Sequence, residues 1–543
     1  MGAFGPTEDA GGELKMPGLA ELLECDVLIV GCGIAGATAA LRLSEDEHCR
    51  IVVVTKPEDP LESNTYYAQG GIIYKGEEDS PEQLAQDLIR AGDGINNRRA
   101  VEILAHEGPR LVRELLVEKY HVPFTLDEGN RLELTREAAH STSRILHVND
   151  ATGKGIQENL VRALRTHPNI RILTKHTAVD LLTPAHHSLD RLAIYEPLSC
   201  VGAYVYDQIT GCVCTVLSKV TILASGGLGQ IFLHTTNPAG ATGDGLAMAY
   251  RAGARIINAE YVQFHPTTFY HRGKACFLIS EALRGEGARL LNANGESFMQ
   301  RYAPEWKELA PRDVVARSIH QEMLRTGAPF VYLDIASAMP AGRIAERFPT
   351  ICRSCREYGV DPTKEPIPVV PAAHYFCGGV WVDEWGRTNL ERLYAIGEVS
   401  CTGLHGANRL GSASLLEGLV WGERAAQDIR RGLGDWRLIA AESIPPWQAE
   451  GISESADPAL VEHDMATIKH TMWYYVGLVR SRRRLERALR DLNNLQQDID
   501  AFYRTTRVDT ELISLRNAAL AANIVARAAW ENRESRGCHY RED

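Results

Sequence analysis

The stretch "CDVLIVGCGIAGATAALRLSE", residues 25–45, constrains the fold more than any other part of the chain. Val27, Leu28, Ile29 and Val30 form an unbroken apolar run, the pattern of a strand buried on both faces. Three glycines follow, Gly31, Gly33 and Gly36, and then an alanine-rich helical segment. Gly31 allows a tight turn, Gly33 lets a pyrophosphate approach the backbone, and Gly36 lets strand and helix pack closely. The helix N-terminus then faces the phosphates. Three glycines in register between a strand and a helix favour a bound dinucleotide over an empty doubly wound sheet. A second apolar run, "RIVVVTK", ends in Thr55 and Lys56, where such folds usually carry an acidic ribose ligand. On these residues FAD and NAD both fit.

Further glycine-rich strand ends narrow the choice. "VTILASGGLG" ends in Gly226 and Gly227, and "GATGDGLAMAYRAGA" places Gly240, Gly243 and Gly245 before a helix. Together they suit a long ligand lying across the carboxyl ends of the strands, as FAD would. "SNTYYAQGG", residues 63–71, reads as backbone laid close against such a ligand. The expected fold is α/β, a Rossmann-like FAD-binding domain interrupted by an α+β capping domain and followed by a C-terminal helical bundle. Its expected parts are an N-terminal extension (1–24), the FAD-binding domain in two segments (25–258 and 376–440), the cap (259–375) and the helical domain (441–543). The arginine-dense "VGLVRSRRRLERALRDLNNLQQDI" in that last part reads as a solvated helix face.

A chain of 543 residues exceeds one hydrophobic core and predicts about three or four units with room for a deep pocket. Its 58 lysines and arginines against 70 aspartates and glutamates leave a formal charge of -12, which gives no general attraction for nucleic acid. An anionic substrate must therefore be held by local cations. The first 24 residues are Gly-rich and acidic without an apolar core, unlike a signal peptide, and no uncharged apolar run reaches bilayer length. A soluble, cytoplasmic protein is the expectation. The 12 cysteines lack the spacing of a disulfide framework, and Cys352 and Cys355 form one C-x-x-C in a segment of helical character. That is too few ligands for zinc or an iron-sulfur cluster, so no metal site is expected.

The chemistry-bearing residues cluster late in the chain. Glu398 follows a buried strand, where it could bond a ribityl chain, and Ser412 or Ser414 is a plausible cap for a helix beginning near Leu415. His265 in "QFHPTTF" and His374 in "PAAHYFCGG" sit in what read as loops bounding the cap. With Arg312, Arg409 and a hydroxyl such as Ser280 they make a donor set suited to a dicarboxylate.

Taken in order, "GCGIAG", "YAQGG", "ATGDG", "QFHPT", "EALRGEGA", "PRDVVAR", "AAHYFCGGV" and "GEVSCTGLHGANRLGSASLLE" resemble the fumarate reductase and succinate dehydrogenase flavoprotein family over roughly residues 25–430. Within it the chain is most similar to the members that oxidise L-aspartate. The resemblance implies non-covalent FAD and oxidation of L-aspartate to iminoaspartate, with electrons passed to oxygen or fumarate. It implies a place at the first step of quinolinate and NAD biosynthesis, with quinolinate synthase as the next enzyme. Cofactor contacts are implied for Gly31, Gly33, Ala35, Gly36, Thr55, Lys56, Asn64, Thr65, Ala68, Gly70, Gly71, Asp244, Glu398, Ser414 and Leu415. His265, Ser280, His374 and Arg409 would hold the substrate carboxylates, and Glu137 would lie near the amino group. Arg312 corresponds to the proton-transfer arginine, although a guanidinium normally stays protonated, so charge and orientation are expected from it at least as much.

Two departures carry expectations of their own. Ala413 stands where the family usually has asparagine, which predicts weaker FAD binding. Asn64 stands where membrane-linked dehydrogenases carry the histidine that attaches FAD covalently, a bond asparagine cannot form. A fumarate reductase or succinate dehydrogenase subunit docked to an iron-sulfur partner shares nearly every motif, but Glu137 and Asn64 favour the aspartate reading. A flavin-binding scaffold without turnover would need none of His265, Arg312, His374 and Arg409.

Overall fold

The computed structural model describes residues 22–543 apart from 138, 150, 450, 451 and 453. Of the expected N-terminal extension only Leu22, Leu23 and Glu24 fall within them, and these already belong to the first strand, Leu22–Val30. That strand lies inside a seven-stranded sheet ordered Ile170–Leu173, Ile51–Val54, Leu22–Val30, Cys212–Leu223, Gly202–Asp207, His176–Leu182, with Leu393–Ala395 also paired to Cys212–Leu223. The twelve-residue strand Cys212–Leu223 serves two neighbours on one side: its first half pairs antiparallel with Gly202–Asp207 and its last residues pair parallel with Leu393–Ala395. Val30 is in register with Val54 and Leu223, and Leu223 with Ala395. Four parallel strands therefore end level and open one crevice at their carboxyl ends, where ligands of such sheets bind.

The turn out of Leu22–Val30 admits no side chain. Gly31 has φ 114°, and an added Cβ would sit 2.1 Å from the Ala224 carbonyl oxygen. Gly31→Ala is expected to cost more than about 3 kcal/mol and to abolish flavin retention, as denaturant midpoints and bound-flavin absorbance would report. A variant with wild-type colour and midpoint would refute the close approach. Helix Ile34–Leu43 then crosses Ala413–Gly432 through Gly418 and Gly422, where an added Cβ would come 2.9 Å from Ile34 Cγ2 and 2.8 Å from the Ala35 carbonyl oxygen. This contact carries the start of the second helix to the crevice.

A five-stranded antiparallel sheet, ordered Lys274–Leu278, Val262–His271, Ile367–Phe376, Val331–Asp334, Arg289–Leu291, stands against that opening. His265 and His374 lie on two of its paired strands rather than in loops, with His265 opposite Ala372. The sequence signal was misleading because Pro266 cannot donate a ladder hydrogen bond. A register shift between His265 and Thr268 accommodates it.

Helices Pro458–Tyr475, Arg482–Thr505 and Thr510–Glu531 complete the chain. Along the second, Arg482 pairs with Glu486 at 2.7 Å and Arg487 with Asp491 at 3.5 Å on an exposed face, where solvent screens such pairs. The third reaches back to the first sheet. Ser514 Oγ accepts from Lys56 Nζ at 3.1 Å, and Asn517 Nδ2 donates to Asp244 Oδ1 at 3.0 Å. Cys352 and Cys355 are both buried on the helix Pro349–Glu357. No helix among the described residues is long and apolar enough to cross a membrane.

Candidate active site

A single cavity of about 2430 Å³ runs from the crevice to the antiparallel sheet, larger than a pocket for one small molecule. Its floor is the glycine turn Gly31–Ala35, and its walls include Thr55, Lys56, Thr65, Ala68, Gly70, Gly71, Asp244, Glu398, Ser414 and Leu415. Gly36, by contrast, is buried behind the turn, its α-hydrogen face against the Gly31 carbonyl, where a Cβ would be 2.2 Å away. It shapes the cradle rather than lining it. Lys56 Nζ pairs with Asp244, and Thr65 Oγ1 accepts from Ile34 N–H at 3.0 Å, the first amide of the cradle helix. These residues fit a dinucleotide: a cationic lysine, backbone amides at a helix start and a turn too tight for side chains.

Glu398 lines the cavity and also joins two parts of the fold. Its carboxylate accepts from Asn64 Nδ2 at 2.6 Å and from Phe376 N–H at 3.0 Å, so the cofactor loop and the antiparallel sheet are joined through it. Burial raises its carboxyl to about 7, against the opposing pull of those two donors. Because the folded pKa lies above the ordinary 4.5, the stability Glu398 adds is complete below that value and is lost as pH rises through about 7. Flavin-free protein is therefore expected to weaken across that window relative to Glu398→Gln. Part of Glu398 faces the cavity, so the difference should be on the order of 1–2 kcal/mol. Parallel pH profiles of the two denaturant midpoints would overturn this account.

Neither serine caps the helix Ala413–Gly432. Ser412 holds the N-cap position without a capping bond, and Ser414, in the first turn, accepts from Arg409 Nη1 at 3.0 Å. Ala413 N–H meets the Leu410 carbonyl at 3.4 Å, neither serine hydroxyl takes the amides that follow it, and the helix dipole favours negative charge there.

Four segments bring cations and imidazoles to the far end. The His265 and His374 rings stand 5.6 Å apart. Thr267 N–H donates to His265 Nδ1 at 3.2 Å, and Thr236 Oγ1 lies 2.8 Å from His374 Nδ1, leaving each Nε2 edge for a ligand. Burial holds both pKa values well below the usual 6.5, helped by Arg312 at His265 and Arg409 at His374. Both rings are neutral at physiological pH. The Arg409 guanidinium lies 4.7 Å over the Tyr375 ring, and its Nε donates to Gln263 at 3.2 Å. Ser280 lines the same space, its hydroxyl accepting from Ala282 N–H at 3.3 Å.

Arg312, the first residue of helix Arg312–Thr326, donates from Nε to Glu281 Oε2 at 2.6 Å. Burial alone would lower its pKa, but Glu281 and Glu137 outweigh it and hold the guanidinium above its ordinary range. Glu281 in turn lies 3.3 Å from Arg284. Glu137 approaches from the opposite wall: a Cβ built on Gly411 would be 2.7 Å from Glu137 Oε2 and 3.6 Å from Arg312 Nη2. The loop carrying Glu137 is fixed from behind. Asp87 accepts from Ser141 N–H, Ser141 Oγ and Arg144 Nη1, each at 2.8 Å, and His140 Nε2 meets the Gly411 carbonyl at 3.1 Å.

Several participants carry no isolated sequence signal. Glu281 and Arg284 lie within "EALRGEGA" at a spacing of three, which brings them together on one turn. Glu417, buried under Tyr375, collects bonds from Thr402 at 2.6 Å, His405 at 2.9 Å and Tyr375 at 3.0 Å. Only the tertiary structure shows that this carboxylate backs the ring supporting Arg409.

Residues 26–415 match the FAD binding domain family model and residues 465–543 the fumarate reductase flavoprotein C-terminal model. The chain is 45% identical over 526 residues to the L-aspartate oxidase of Pseudomonas aeruginosa, covering 95% of each, and 45% identical over 522 residues to that of Yersinia pestis, covering 95% of this chain and 96% of that one. The chain belongs to the L-aspartate oxidase family. An archaeal member, from Halobacterium salinarum, is 43% identical over 95% of this chain and 96% of its own. Among solved structures, an E. coli quinol fumarate reductase chain superposes with a TM-score of 0.85 at 28% identity, covering 96% of this chain and 92% of its own. A Mycobacterium smegmatis Sdh1 chain superposes at 0.82 with 30% identity, covering 96% and 89%. The chain thus shares its architecture with the quinol fumarate reductase and Sdh1 chains.

Proposed function

We infer that the chain is an FAD-dependent enzyme that oxidises L-aspartate to iminoaspartate and passes the electrons to oxygen or fumarate. The observation that carries the substrate assignment is the placement of Glu137 opposite Arg312, beside the cations and neutral donors of His265, His374, Ser280 and Arg409. Arg409 grips one carboxylate with the guanidinium edge that Gln263 and Ser414 leave free, while the Nε2 edges of His265 and His374, with Ser280, hold the other. Neutral imidazoles suit this task because either can donate without adding charge. Glu137 receives the substrate ammonium, a group that succinate and fumarate lack.

When bound, FAD supplies a hydride acceptor for the substrate Cα. The ammonium nitrogen loses one proton in the same conversion, giving the protonated imine. Arg312, held charged by Glu281, fixes the reacting carbon and its carboxylate, and the Arg312–Glu281 hydrogen bond with the Glu281–Arg284 ion pair beyond it offers a charged route for the proton. Lys56, Asp244, Thr65 and the cradle glycines retain the dinucleotide, and the open start of Ala413–Gly432 favours the charge that the reduced cofactor carries. Asn64, bonded to Glu398, has no nucleophile for a covalent attachment, so the yellow colour should leave the protein on acid precipitation. Fumarate fits the same carboxylate clamps. The unstable imine requires a consuming reaction, for which quinolinate synthase, the implied first step's successor in NAD biosynthesis, is the proposed recipient.

Anaerobic mixing of the yellow protein with L-aspartate or succinate tests the assignment. Bleaching of the flavin by L-aspartate but not succinate is expected. Bleaching by succinate alone would replace this reading with that of a fumarate reductase or succinate dehydrogenase flavoprotein subunit.

A further inference from the structure

Ser412 sits at the N-cap of Ala413–Gly432 in the left-handed region, with φ 59°. For a residue bearing a Cβ that conformation costs on the order of 1 kcal/mol, and glycine would relieve it. A serine there ordinarily offsets such a cost by capping the helix, yet Ser412 makes no capping bond. Its buried hydroxyl accepts from Gly71 N–H at 3.1 Å and donates to Glu137 Oε2 at 2.8 Å. Gly71 N–H also reaches Glu137 Oε1 at 3.3 Å.

An anchored carboxylate has a purpose here. Glu137 Oε2 and Arg312 Nη2 both approach the Gly411 backbone, within 2.7 and 3.6 Å of the same built Cβ position. Opposite charges so close collapse onto one another unless each is held from behind, and an ion pair between them would remove the partners of both the ammonium and a substrate carboxylate. Glu281 restrains Arg312 at 2.6 Å. We propose that Ser412 is the matching restraint on Glu137, a positioning residue that keeps the carboxylate turned toward the substrate ammonium and so sets the preference for an amino dicarboxylate. Shielding from water strengthens this hydrogen bond and makes its direction count.

The inference rests on Glu137 as the ammonium partner, and the experiment separates the two. Ser412→Gly, Ser412→Asn, Glu137→Gln and the double variant Ser412→Gly with Glu137→Gln are compared for L-aspartate oxidation and for fumarate reduction by reduced benzyl viologen. Bound-flavin absorbance normalises each. Ser412→Gly should lower kcat/KM for L-aspartate roughly tenfold relative to that for fumarate. Ser412→Asn, which tolerates the left-handed backbone and keeps a donor, should recover part of that ratio, and it carries the comparison if the glycine variant loses FAD. In the Glu137→Gln background Ser412→Gly should change the ratio by less than about twofold. Equal losses for both substrates in Ser412→Gly, or a full additional loss in the double variant, would overturn the proposal while leaving Glu137 in place. An unchanged ratio in Glu137→Gln would overturn the reading of Glu137 and this inference with it.

Discussion

Arg312→Leu is expected to lower turnover of L-aspartate by at least roughly a thousandfold, and fumarate reduction by a similar factor, while the purified protein stays yellow. The guanidinium is held charged in a buried setting, where a fixed positive group stabilises developing negative charge far more than it would in water. Leucine removes that charge and the route through Glu281. It also leaves the Glu281 carboxylate, partly buried between Arg312 and Arg284, with one partner instead of two. Removing one partner of such a pair is destabilising, by about 1–3 kcal/mol where it is only partly buried, so a lower unfolding midpoint should accompany the kinetic loss. Arg312→Lys separates charge from geometry: it restores the positive group without the planar fork, and intermediate turnover is expected. Steady-state kinetics on flavin-normalised protein decides, and kcat within tenfold of wild type in Arg312→Leu would remove Arg312 from the reaction.

Glu137→Gln should cost about 2–4 kcal/mol in discrimination, a factor of about 30 to 1000 in kcat/KM for L-aspartate. Glutamine keeps the volume and an acceptor oxygen for Ser412, so the loop held by Asp87 and His140 has no reason to move. What is lost is the negative charge that the substrate ammonium requires. Succinate, which leaves that charge unpaired in the wild type, should bind the variant better. Titrating the flavin spectrum with succinate and measuring kcat/KM for L-aspartate together give the test, and a variant with unchanged preference would assign the ammonium to another group.

The cofactor half was the more legible part of the molecule. "VLIVGCGIAG" declares its role locally, because a backbone turn with φ 114° and no room for a Cβ dictates its own residue type. The ends of strands Leu22–Val30 and Cys212–Leu223 are likewise apolar runs closed by glycine or small residues. The substrate half was legible in its residue types but not in its geometry. His265 and His374 looked like loop residues since Pro266 interrupts the strand pattern, while the sheet absorbs it by a shift in register. Ser412 and Ser414 looked like caps because serine before a helix usually caps, yet their hydroxyls are claimed by Glu137, from a distant part of the chain, and by Arg409 of the loop just before the helix.

The sequence by itself determined the nucleotide cradle, the inventory of cations and imidazoles proposed to hold a dicarboxylate, and at Asn64 a side chain with no nucleophile for a flavin bond. These rest on contiguous residues, whose steric and chemical requirements are met within a few positions. Only the tertiary structure decided that Glu137 confronts Arg312, that Glu281 and Ser412 hold the two apart, and that Asn64 spends its amide on Glu398. Those are contacts between segments far apart in sequence, where a charge takes its function from whichever partner the fold places within hydrogen-bonding distance.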